Sequence, residues 1–356
     1  MGASWTRSSR GIEIEDDMKQ YIELVQHVLD TGTRKENRTG IDTISTFNHN
    51  FEVDLKYGFP LLTTKSVSWK NIVVELLWFL SGQTDISILK RHGCKFWDAW
   101  ADSSGQVPSA YGNFWRHFPI HGTIDSSDHN IDGMDVCKFN DQIAWVLAEL
   151  KKNPMSRRMV VSAWAPGNAQ YSKLPPCHCL FMLNVQNEEL TRGEAYCKRC
   201  YRKSPAESMH CTHCKVREDT LTEGHYPRLC LHLTQRSCDV ALGVPYNIAS
   251  YALLLSLFSH FTGIEPGIFA HTLVDAHIYT AKPDGSKAEF DHVPGLKEQI
   301  ARSPLALPKL RISEEIKSLE DIEKLMAPEV TTDEVMKHFV LEGYDPHEAI
   351  AFRVAV

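Results

Sequence analysis

Gln235-Arg236-Ser237-Cys238-Asp239, with Asn247 eight residues further on in Leu242-Gly243-Val244-Pro245-Tyr246-Asn247-Ile248-Ala249-Ser250-Tyr251, joins a strand to a helix. The residues leading into it, Leu229 to Ser237, read as a strand. Those following it, Ile248 to Thr262, are apolar on most helical faces, which requires a helix buried at the centre of the molecule. Within 13 positions the junction supplies a fixed cation, a hydroxyl, a carboxylate and an amide, the set that holds a phosphate and reads a base edge. An Asn side chain donates to one carbonyl and accepts from one ring N–H, the pair that a uracil edge offers at O4 and N3–H; cytosine reverses the pattern. A plainer arrangement fits the same residues: Arg236 and Asp239 as a strand-end ion pair, and Asn247 as the cap of the helix.

Outward from this junction, Met18 to Thr31 has helical apolar spacing ending at Gly32, and Thr43 to Leu55 alternates as a strand does. Ile72 to Ser81 is a strongly apolar helix closed by Gly82. Ile86 to His92 is a shorter helix closed by Gly93, and Phe139 to Leu150 is amphipathic. Arg158 to Trp164 and Cys179 to Val185 read as strands beside Leu229 to Ser237. Long helices with separate strands around one buried helix define an α+β fold with a layered sheet.

Leu174-Pro175-Pro176-Cys177-His178-Cys179-Leu180-Phe181 places a thiol after a rigid Pro-Pro turn at a strand entrance, where its sulfur faces a cleft or packs as a small hydrophobe. A cysteine hydrolase built on Cys177-His178 fails, because adjacent strand residues point to opposite faces. Glu75 sits in the apolar face Val73-Val74-Glu75-Leu76-Leu77-Trp78, where a carboxylate is costly without partners or a task. His277 and Tyr279, two apart on a strand, point the same way. Cys197-x-x-Cys200, then ten residues, then Cys211-x-x-Cys214 is the spacing of a four-thiolate zinc ribbon or knuckle, whose metal would staple a loop too short for a core. Four cysteine ligands leave no open position for catalysis, so such a zinc would be structural.

The chain has 356 residues, 43% hydrophobic and 23% charged, as a globular protein does. No apolar run is long enough to cross a bilayer, so no membrane partner is expected. Residues 1–17 lack the apolar core of a signal peptide and read as a flexible tail. A net charge of −7 does not advertise a nucleic-acid partner for the whole chain. Ten cysteines, four of them in Cys-x-x-Cys pairs, fit a reducing, cytoplasmic compartment better than a disulfide framework.

The two cysteine- and arginine-bearing segments together resemble the thymidylate synthase family. The likeness runs from Met18 to Val356 through Arg38-Thr39-Gly40, Phe59-Pro60-Leu61-Leu62-Thr63-Thr64-Lys65, Glu75-Leu76-Leu77-Trp78-Phe79-Leu80, Phe96-Trp97-Asp98-Ala99-Trp100-Ala101-Asp102, Tyr111-Gly112, Ser156-Arg157-Arg158, Asp275-Ala276-His277-Ile278-Tyr279 and Gly343-Tyr344-Asp345-Pro346-His347. The resemblance implies one catalytic domain over 18–356 in an obligate homodimer. Cys177 would add to C6 of dUMP, and C5 would then attack the methylene of 5,10-methylenetetrahydrofolate. Arg38, Arg236, Ser237 and, reaching across the dimer, Arg157 and Arg158 would hold the phosphate. Asn247 would read the base, and His277 and Tyr279 the deoxyribose hydroxyl. Glu75, Tyr111, His178 and Asn247 would form the proton network. Trp97, Trp100 and Asp239 would face the folate, and the tail ending at Val356 would close over it.

Three segments exceed the family pattern: 120–136, 191–227 and about 281–293. The middle one, as an inserted zinc-ribbon-like loop, carries the four cysteines. Its surplus of basic residues leaves nucleic-acid or protein contact open beside a bracing role. The chain also departs from the family at Ile41-Asp42 after the first Thr-Gly, at Ser66, at Pro108-Ser109-Ala110 and at Tyr246. These changes put the product in question. The related phage hydroxymethylases let water in place of hydride attack the exocyclic methylene, giving 5-hydroxymethyl-dUMP. Asn247 keeps uracil as the base, and Trp97, which in the family shields the intermediate from water, favours methyl transfer and dTMP. A regulatory protein that binds nucleotide or RNA on the same scaffold is a third reading, opposed by the retention of Cys177, Glu75, Asn247 and the arginines.

Overall fold

The computed structural model describes residues 18–37, 39–120, 138–169, 172–208, 210–216 and 221–355. The N-terminal tail, Arg38, Val356 and nearly all of the 120–136 segment lie outside them. The frame is a seven-stranded sheet of β1 (Thr33–Lys35), β2 (Asp42–Asp54), β3 (Val160–Ser162), β4 (His178–Glu189), β5 (His225–Gln235), β6 (Cys238–Asp239) and β7 (Glu265–Thr280). Its order is β1-β2-β7-β5-β4-β3, with β6 running parallel beside β7. β5 and β7 are parallel, and every other pair in that order is antiparallel. The helices that matter for the site are α1 (Lys19–Thr31), α2 (Trp69–Leu80), α3 (Tyr111–Arg116), α4 (Gln142–Lys152) and α5 (Gly243–Thr262). The expected α+β architecture is what the chain adopts.

Parallel neighbours need a crossover, and α5 provides it between β5 and β7. It is buried on nearly every face from Val244 to Ser259, as its composition requires, and it ends at Gly263, whose φ of 79° only glycine takes without strain. One face of the sheet lies against it: Phe181, Leu183 and Val185 of β4, Leu229, Leu231 and Leu233 of β5, and Phe269 and Leu273 of β7 are all buried. Among the described residues, no layer covers the opposite face. Val160 and Met182 stand 41% and 39% exposed there, beside half-buried Ile268 and Ala270.

Several boundaries differ from the sequence reading for local reasons. α2 begins at Trp69, three residues ahead of Ile72, because the Ser68 hydroxyl caps it by accepting from the Asn71 N–H. α5 begins at Gly243, five residues ahead of Ile248, since Pro245 is tolerated in a first turn. Asn247 therefore lies inside the helix and is not its cap. The strand expected over Arg158 to Trp164 is confined to Val160–Ser162, whereas the one expected over Cys179 to Val185 runs on to Glu189.

At the foot of the sheet, Arg228 of β5 is 4% exposed and donates to both Asp54 of β2 and Glu188 of β4, tying three strands. Breaking such a buried set costs several kcal/mol, about 3–5. Between β4 and β5 the chain leaves the sheet and makes a small three-stranded one from Glu194–Cys197, Lys203–Pro205 and Leu221–Thr222. The excursion is shorter than 191–227: His225, Tyr226 and Pro227 belong to β5, paired with Glu189, Glu188 and Asn187.

Candidate active site and cysteine cluster

The register of β4 on β5 assembles the centre of the site. Pairing runs from His225 opposite Glu189 to Thr234 opposite Leu180, then shifts so that Gln235 faces His178. Just past this irregularity the Arg236 N–H donates to the Cys177 carbonyl at 2.8 Å. Nucleophile candidate and cation candidate, 59 residues apart, thus become neighbours through strand pairing alone. The Arg236 guanidinium donates to the carbonyls of Pro176 and Pro175 at 2.9 and 2.7 Å and lies 3.7 Å from the Cys177 Sγ. It also lies over the Trp164 ring, 5.5 Å from its centroid. Among the described residues it forms no ion pair with Asp239, whose carboxylate instead accepts from the N–H groups of Ala241 and Leu242 at 3.0 and 3.1 Å. The plain arrangement of strand-end pair and helix cap is absent.

Asn247 is oriented from behind. Gln235 donates through Nε2 to the Asn247 Oδ1 at 3.0 Å, and its own Oε1 is 2.9 Å from the buried His271 Nε2. Gln235 is the residue that the sequence reading missed as part of the site. Its signal was there: it follows Leu229, Leu231 and Leu233 in the same inward phase, and a buried amide at such a position must find partners.

The Tyr111 hydroxyl accepts from the Cys177 N–H at 3.2 Å, and the Tyr111 ring stacks on His178 at 4.5 Å and 5°. Burial pushes His178 down to about 4, against a hydrogen bond with Asn247, so its ring is neutral at pH 7. Burial raises Tyr111 well above its ordinary value, with the neighbouring Cys177 charge adding to the effect. On α2, burial lifts Glu75 to about 7 while the Trp97 indole N–H, 2.7 Å from its Oε1, opposes the rise. Trp97 is buried against Trp78, Phe79 and Tyr111, with ring centroids 5.6–5.8 Å away. Trp100 is half-buried one turn on.

His277 and Tyr279 share one side of β7 with rings 5.3 Å apart, and the His277 Nδ1 is 3.1 Å from Asp275. The C-terminal segment is already seated: the His292 ring lies 2.9 Å from the Arg353 carbonyl and 5.1 Å from the Phe352 ring. Lys65, a second residue not singled out as a site residue, donates to the Ala241 carbonyl at 2.5 Å with its ammonium over Phe352. Burial lowers it to about 8, against the pull of Asp239. Ser237 is half-buried beside Arg236. Arg157 and Arg158 are not brought to this centre; both are exposed just before β3, and among the described residues their side chains have no ion pair.

The four cysteines of the excursion converge, with all Sγ atoms within 4.8 Å of one another. Cys197 to Cys214 and Cys200 to Cys211 are each 3.6 Å, close to the ~3.8 Å edge of a tetrahedron with Zn–S bonds of about 2.3 Å. Two like turns build it. Tyr201 N–H donates to Cys197 O and Lys215 N–H to Cys211 O, at 2.7 and 3.0 Å, and both donors have φ near 60°. The residues present fit a structural zinc.

A half-exposed thiol beside a guanidinium, an oriented amide and a carboxyl raised toward neutrality are the groups that covalent catalysis on a nucleotide can use. The family model described as thymidylate synthase matches residues 19–356, and the chain belongs to that family. It is accordingly a one-carbon transferase acting at C5 of dUMP with methylenetetrahydrofolate. No helix among the described residues is long and apolar enough to cross a membrane.

Proposed function

We propose that the chain makes dTMP. Cys177 Sγ bonds to C6 of dUMP, and the electron pair displaced to C5 attacks the folate's methylene carbon. The proton on C5 must then leave: Glu75, a carboxyl near 7, takes it, the C5–H electron pair forms the exocyclic methylene as the methylene–nitrogen bond breaks, and the departing nitrogen receives the proton. The folate supplies the methylene and then a hydride, leaving as dihydrofolate, while the Cys177–C6 bond breaks and the thiolate is released. Asn247, held by Gln235, selects uracil. Arg236, Ser237 and Arg38 hold the phosphate, His277 and Tyr279 the sugar. Trp97, Trp100 and Asp239 face the folate, and the tail through Val356 closes the site.

The observation that carries methyl over hydroxymethyl transfer is the Trp97–Glu75 contact at 2.7 Å. It holds a buried, bulky indole beside the raised carboxyl, which supports a site that keeps water from an exocyclic methylene. The uncovered sheet face, with Val160 and Met182 exposed, supports a homodimer in which Arg157 and Arg158 serve the partner's phosphate. The test is to incubate the chain with dUMP and methylenetetrahydrofolate, follow dihydrofolate absorbance and weigh the nucleotide. A methylated product with dihydrofolate is expected. A product one oxygen heavier, with tetrahydrofolate returned, replaces this reading with the hydroxymethylase.

A further inference from the structure

We propose that the cleft between the cysteine excursion and the body of the chain binds a polyphosphate, as carried by a nucleoside triphosphate. The cleft, about 540 Å³, lies at the end of α5 opposite from Asn247. The excursion packs tightly here: a Cβ on Gly263 would come within 2.3 Å of the Cys200 carbonyl oxygen. Four cations from three separate segments line the cleft, Lys56 after β2, Arg202 and Lys203 in the excursion, and Lys309, against Glu265 as the one carboxylate among the described lining residues. Lys56 is partly neutralised by Asp54 and Glu188 at 3.3 and 3.4 Å, and Lys203 by Glu194 at 3.5 Å. Arg202 and Lys309 have no ion pair among the described residues. His213 and His260 add further donors.

Cations spread along a cleft of this size suit a chain of phosphates better than one, and Tyr57, Leu55 and Ile312 offer an apolar wall for a base. The site is separate from the dUMP cleft, and the proposal does not depend on which product forms there.

Calorimetric titration of the full chain, saturated with dUMP to block the catalytic phosphate site, tests it with three probes: inorganic tripolyphosphate, thymidine triphosphate and thymidine. Saturable tripolyphosphate binding near one per chain is expected, weakened about tenfold or more by Arg202→Gln with Lys309→Gln while dUMP affinity stays unchanged. Equal affinity for tripolyphosphate and the triphosphate assigns recognition to the phosphates alone, and tighter triphosphate binding adds the base; both support the site. Absence of saturable binding of either phosphate probe, or affinities that the double substitution leaves unaltered, overturns the proposal.

Discussion

Glu75→Gln isolates the energetics of the raised carboxyl. In the folded chain the group titrates near 7, against 4.5 for an ordinary glutamate, because burial disfavours its charge more than the Trp97 N–H favours it. The folded state therefore holds the proton more tightly than the unfolded chain. The stabilisation is fully present below 4.5 and is lost as pH rises through 7. Between about pH 5.5 and about pH 8.5 the loss amounts to about 2 kcal/mol in the ligand-free protein. The glutamine keeps an acceptor for Trp97 and does not titrate. Urea unfolding at one fixed protein concentration should show the natural chain falling by about 2 kcal/mol relative to Glu75→Gln across that interval. Two parallel pH curves would refute the account of a carboxyl kept protonated by burial. Turnover of dUMP by the variant should fall by about 100-fold or more, as loss of a positioned proton carrier does.

Asn247→Asp removes the donor of the base-reading amide, so dUMP binding should weaken by about 100-fold while dCMP binding improves, measured by competition calorimetry. Gln235→Leu removes one hydrogen-bond partner each from Asn247 and His271; thermal unfolding should report a loss of about 1–3 kcal/mol, and discrimination between dUMP and dCMP should narrow. Cys200→Ser should cut bound zinc well below one equivalent by metal analysis and open the excursion to proteolysis, leaving dUMP binding in place.

The elements were legible because their periodicities are strong. α5 reads as buried since it is apolar on all sides, and β2 since Thr43 to Leu55 alternates. Cys177, Arg236 and Asn247 were legible as chemistry, but their juxtaposition depends on the β4–β5 register shift at Gln235, which no local spacing encodes. The polar run Gln186 to Glu189 ends the apolar pattern of β4 at Val185, but pairing with β5 and the Arg228 cluster keeps it in the sheet. Gly243 and Pro245 resemble loop residues and so hide the start of α5 in the sequence, although a first helical turn accepts both. The packing of the cysteine excursion against Gly263 could not be read at all, being a contact between segments 63 residues apart.

At the neck of that excursion the Leu190 N–H donates to the Gly224 carbonyl at 2.7 Å, immediately beyond the Glu189–His225 pair. The hairpin is thus closed before the excursion begins, so the four-cysteine piece joins the sheet at a finished turn, like a graft on a stem that also leans on the end of α5. Such an attachment lets the appendage be lost, lengthened or exchanged through evolution or engineering without disturbing the strands that align thiol and guanidinium. Its sequence can drift under demands of its own, while the catalytic frame stays subject to another set.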